Sequence, residues 1–141
     1  MTVQIARLAI VAAALVAAAG AQAEEFAVRL GRMPVDSRTQ ASVTGLGRAV
    51  ADLDGAVLRI DGEFAGLQGP ATIASLRLGK ATGARGPVIE ALDVTHDKDG
   101  RVSGSIRLDA DQLEALHAGR LYIQIDSESA PEGNLWGWLL R

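Results

Sequence analysis

The side chains in this 141-residue sequence with chemistry to offer are two histidines, His96 and His117, and a scatter of carboxylates; there is no cysteine. His96 opens the run His96-Asp97-Lys98-Asp99-Gly100, which holds ligand types for a divalent ion. Neighbours on one flexible turn fix no coordination geometry, so the run reads as a solvated turn. A calcium loop would need oxygen ligands at alternate positions and a bidentate Glu at the twelfth. With Gly100 at the sixth, Thr95 takes the first and Ile106 the twelfth, and the calcium reading fails. Nucleophilic catalysis needs Ser, Thr or Cys beside an oriented base, and neither histidine lies in such a motif. Glu63, Asp126 and Glu128 sit on or beside strands, where a carboxylate pair for glycoside chemistry stays open, although acidic residues on outer strand faces are usually solvated. The reading is therefore of no catalytic residue, no metal ligand set and no cofactor.

Trp136 and Trp138 are two apart on the last strand and share a face, which Leu140 continues. They are either core or an exposed aromatic strip for a ligand or partner, because Leu135 and Leu139 on the other side supply a core face by themselves. A strand apolar on both sides needs cover, from a homodimer contact or from a short helix.

The elements that would position these residues are short strands. From Phe26 onward apolar and polar residues alternate between glycines, the pattern of half-buried strands. Candidates are Phe26 to Leu30, Ala49 to Leu53, Ala56 to Phe64, Ala71 to Leu78, Pro87 to Leu92, Val102 to Leu108, Leu121 to Asp126 and Leu135 to Leu140. Asp54-Gly55 predicts a type I′ hairpin. Leu58 and Ile60 are expected inward, Arg59 and Asp61 outward. Before the penultimate strand comes one short helix: Asp109 is its N-cap, Gln112 completes a capping box, and Gly119 stops it. Many short strands and one helix predict an all-β domain, an antiparallel β-sandwich or Greek-key barrel.

Arg7 followed by the apolar run Leu8 to Gly20 and then Ala21-Gln22-Ala23 predicts a signal peptide over 1–23, too short to span a bilayer. Cleavage near Ala23 leaves one domain, 24–141, that is periplasmic or secreted and has no further membrane span. Without cysteine its stability must come from packing. Basic residues are nearly all Arg, with only Lys80 and Lys98, as in high-GC bacterial coding. Losing Arg7 takes the formal charge one unit below the −3 of the whole chain, and interspersed charges of both signs argue against nucleic acid.

Gly119-Arg120-Leu121-Tyr122-Ile123-Gln124-Ile125-Asp126-Ser127 and Pro131-Glu132-Gly133-Asn134-Leu135-Trp136-Gly137-Trp138-Leu139 resemble the closing motif of CHRD (chordin-type) domains. Gly86-Pro87-Val88-Ile89 resembles the family's G-P-V-V, and Leu108 to Gly119 its L-x-x-x-Q-x-x-x-L-x-x-G helix, so the resemblance runs from residue 25 to 141. It implies a sandwich or barrel of the superoxide-dismutase or immunoglobulin kind. It also marks departures. Where family members carry His-x-His on a strand, this chain has Ser75 and Arg77, and Asp126 stands where a third histidine would. If those histidines form a metal or polar site in other members, Ser75, Arg77 and Asp126 are its degenerate remnant here. Arg77 is a permanent cation and cannot ligate a metal. It either pairs with Asp126 or both side chains face solvent.

The leading expectation is an exported, non-enzymatic domain with a binding or structural role toward an unknown protein or small ligand. The alternatives are a metal-associated or redox protein of superoxide-dismutase-like ancestry, and an adaptor that pairs through its terminal edge strand.

Overall fold

The computed structural model describes residues 23–141, so all of the expected leader except Ala23 lies outside the described residues. Strands form where the alternation predicts them: β1 (Glu24–Arg32), β2 (Leu46–Asp54), β3 (Val57–Ala65), β4 (Ala71–Leu78), β5 (Val88–Val94), β6 (Gly100–Arg107), β7 (Leu121–Ser127) and β8 (Leu135–Trp138). One helix, α1 (Ala110–His117), precedes β7, and a single 3-10 turn at Gln40–Ser42 was not anticipated.

The strands pair antiparallel and close into an eight-stranded barrel in the order β1-β2-β3-β6-β5-β4-β7-β8. The β3–β4 and β6–β7 connections cross over intervening strands, as in a Greek key. Closure is uneven. β3 and β6 share eight residue pairs from Val57↔Arg107 to Phe64↔Gly100. The β5–β6 seam has only Asp93↔Ser103 and Val94↔Val102, and the β1–β8 seam only Gly31↔Trp136 and Arg32↔Leu135. The barrel is therefore two well-paired sheets stitched together at two short seams. β8 is paired on both sides, so it is not the free terminal edge that an edge-pairing adaptor requires.

Inward residues of every strand make one core. Phe26, Val28, Leu58, Ile60, Leu76, Val102, Ile106, Ile123, Ile125 and Leu135 belong to it, with Leu58 and Ile60 inward and Arg59 and Asp61 outward. Burying a side chain of this size contributes about 1.5–3 kcal/mol. α1 starts as its sequence dictates: Asp109 accepts from the Gln112 backbone N–H at 2.8 Å, and the Gln112 side chain accepts from the Asp109 N–H at 3.0 Å. Gly119 follows at φ +73°. Ala115 and Leu116 face the core.

The hairpin turn is offset from its predicted place. Asp54 pairs with Val57, so Gly55 and Ala56 are the central residues. Only Gly55 has positive φ, +61°, which suits a type II′ turn, with glycine first, rather than type I′. Both registers keep the same faces inward. The observed one sets Leu53 opposite Leu58 and Ala51 opposite Ile60, giving larger apolar cross-strand pairs.

Candidate functional site

The register of β4, β7 and β8 brings the degenerate positions and both tryptophans onto one outer face. Ser75 lies opposite Gln124, which lies opposite Trp136; Arg77 lies opposite Tyr122, which lies opposite Trp138; Ile73 lies opposite Asp126. An outer sheet face is ordinarily wet, but here every residue of β7 is buried. Ser75 is 2 % exposed, Tyr122 0 %, Gln124 3 % and Asp126 7 %.

The cover is a second layer built by this chain's own loops, not by α1. The segment between β4 and β5, residues 79–87, folds back over β7 and β8. Tyr122 ties it down: its hydroxyl accepts from the Gly86 N–H at 2.9 Å and lies 3.2 Å from the Gly86 carbonyl, which it can donate to. Glycine is needed at both ends of the segment. A Cβ on Gly86 would fall 1.7 Å from the Leu78 carbonyl oxygen, and one on Gly79 2.7 Å from the Trp138 ring. The turn between β7 and β8 covers the other flank. Arg85 donates to the Glu132 carbonyl, Gly133 packs beside the Gln124 amide, and Met33, 2 % exposed, closes over Gly133.

Beneath this cover Tyr122, Trp136 and Trp138 form an aromatic trio. Trp138 lies 4.4 Å from the Tyr122 ring centroid at 30°, and Trp136 meets Tyr122 at 5.8 Å and 82° and Trp138 at 5.5 Å and 73°. Edge-to-face geometry lets the positive ring edge meet the negative face. The tryptophans are half-buried, so they are neither core nor an open strip. The Trp138 Nε1–H is buried and has no hydrogen-bond partner among the described residues.

Arg77 and Asp126 do not form the ion pair; Asp126 is buried and Arg77 half-buried. Arg77 Nε donates to Ser75 Oγ at 3.0 Å and Nη1 to the Gly86 carbonyl at 3.2 Å. Asp126 Oδ1 accepts from the Gln124 amide at 2.8 Å. The reason is register: Arg77 stands opposite Tyr122, four residues along β7 from Asp126, or about 14 Å of strand. Burial raises the Asp126 carboxyl above its ordinary value, opposed by the Gln124 hydrogen bond and by the charges of Arg77 and Arg85.

The remaining candidates stand elsewhere. Glu63 is on the opposite side of the barrel, bound to Arg48 at 2.8 Å, and Glu128 is exposed beyond the end of β7; the three carboxylates share no site. His96 is exposed. Its turn is nonetheless knitted to the chain, because Asp99 accepts from the Gly66 N–H and the Asp97 carbonyl from the Ala71 N–H. His117 Nε2 lies 3.0 Å from Glu24, a partner 93 residues away that no local signal announces. Sequence reasoning also missed Tyr122 and Gln124 as buried outer-face residues. The signal available was the pair of glycines, Gly79 and Gly86, bracketing the segment that seals them.

The CHRD domain model matches residues 18–139. The chain belongs to the CHRD family. No curated protein and no solved structure matches it. In this CHRD domain the closing motif has a mechanical reading. Asn134, fully buried, accepts from Ser127 Oγ at 2.7 Å and donates to the Thr44 carbonyl at 2.7 Å, fixing the β7–β8 turn to the loop before β2.

Proposed function

We propose that this CHRD domain is exported and works without catalysis, as a binding or structural module. One observation carries the reading: the half-buried Arg77 guanidinium lies against the covering segment, tied to Ser75 and to the Gly86 carbonyl. A permanent cation with no lone pair to give repels a metal ion and offers no general acid or base. It holds the covering segment against β4 instead, so the position serves architecture. Export is supported by the leader pattern and by β1 beginning at Glu24, the residue that cleavage after Ala23 exposes. The partner is a protein or small ligand.

Native mass spectrometry of the protein from the export compartment tests both halves of the reading. The expected mass is that of residues 24–141 with no stoichiometric metal. Stoichiometric copper or zinc, lost when His96 or His117 is replaced, would establish a metalloprotein and overturn it. A full-length mass would refute cleavage after Ala23, and absence of the protein from that compartment would refute export.

A further inference from the structure

The outer face of β1, β2, β3 and β6, across the barrel from the tryptophans, breaks a rule of sheet pairing twice. Arg29 stands directly opposite Arg48, and Glu25 directly opposite Asp52. Like charges at directly paired positions destabilise a sheet. The two faults have opposite sign and lie four residues apart on each strand, with the exposed apolar pair Ala27 and Val50 between them. Read across all four strands, one row is Arg29, Arg48, Glu63, Arg101, and the other is Glu25, Asp52, Arg59, Ser105.

These rows complement each other when one is laid on the other. A two-fold axis in the plane of contact, along the row Ala27, Val50, Asp61, Ser103, brings each charged row of one copy onto the other row of a second copy, and sets Asp61 against its own copy, each of the two held beside its own chain's Arg101. Arg29 then meets Glu25, Arg48 meets Asp52, Glu63 meets Arg59, and Arg101 meets Ser105, each twice. Within one chain Arg48 pairs with Glu63 and Arg101 with Asp61. Arg29, Arg59, Glu25 and Asp52 have no ion pair among the described residues, and all four gain an opposite charge across the axis. A foreign partner would not require the face to match its own inverted pattern; an isologous contact does.

From this geometry we infer that the face is the interface of a homodimer. Strands about 4.8 Å apart and rows roughly 6.8 Å apart outline a patch of about 14 by 14 Å between backbone positions, so the contact is of the small, transient class. The charged rows border an open cleft of about 970 Å³ over Ala27 and Val50. Meeting wall to wall, two copies leave this trough hydrated, as is common in weak interfaces.

The test is sedimentation of the purified protein, up to about 1 mM, with two reversed variants. Arg29→Glu with Arg48→Glu makes both rows mainly acidic; Glu25→Arg with Asp52→Arg makes both mainly basic. The wild type should show a monomer–dimer equilibrium that weakens with added salt. Each variant alone should associate at least about tenfold more weakly, and an equimolar mixture should recover a dimer. Circular dichroism confirms that each variant is folded. A wild type monomeric throughout, a reversal that leaves dimerisation unchanged, or folded variants that fail to associate when mixed would overturn the inference.

Discussion

Asp126 shows how one carboxyl can be held in a place that costs stability. It is 7 % exposed, and its only direct donor among the described residues is the Gln124 amide. Because burial raises its pKa in the folded chain, the folded state binds this proton more tightly than the unfolded state does. Stability therefore falls as pH rises from the ordinary carboxylate range through the raised value, and below that range the cost is absent. Asp126→Asn keeps an acceptor for Gln124 and removes the charge. The variant should melt above the wild type at pH 7, and the gap should close as pH falls toward the unshifted value of 3.8. A melting temperature below wild type at pH 7 would show that Arg77 and Arg85 outweigh burial.

Local elements were legible in the sequence to the extent that their causes are local. The cap of α1 lies within four residues, Asp109 to Gln112, and its stop at Gly119 follows from a glycine's tolerance of positive φ; both form as read. Strand alternation placed Leu58 and Ile60 inward for the same reason. In β7 alternation sets Leu121, Ile123 and Ile125 on one face and Tyr122, Gln124 and Asp126 on the other, and both faces are buried. Burial of the second face depends on a segment brought back from 36 positions earlier, Gly86 onto Tyr122, and alternation within a strand cannot report that. That Ser75, Arg77 and Asp126 belong to one site is what family resemblance suggested, whereas their separate partners follow from cross-strand register. The tether can be cut: Tyr122→Phe leaves the ring stack and strands the Gly86 N–H, at a cost of about 1–3 kcal/mol. Chemical denaturation should show that loss, with faster proteolysis confined to residues 79–87. Equal proteolysis in both proteins would mean that Gly79 and Arg77 hold the segment unaided.

Over the whole molecule, unequal pairing predicts unequal opening. Amides across the eight-pair β3–β6 ladder should exchange only through global unfolding, whereas those at Asp93–Val94 and Gly31–Arg32, in two-pair seams, should exchange through local openings of lower free energy. Uniform protection across both would mean that core packing, not ladder length, sets the opening. The β1–β8 seam also joins Gly31 to Trp136, so the first strand finds its last neighbour only after nearly the whole domain has emerged from the ribosome. Such long-range closure is slow, and until it happens one edge of β1 remains open to pairing with other chains. Anything that keeps β1 from pairing elsewhere until β8 is present, the translocation step of the proposed export included, would favour ring closure over association with other chains.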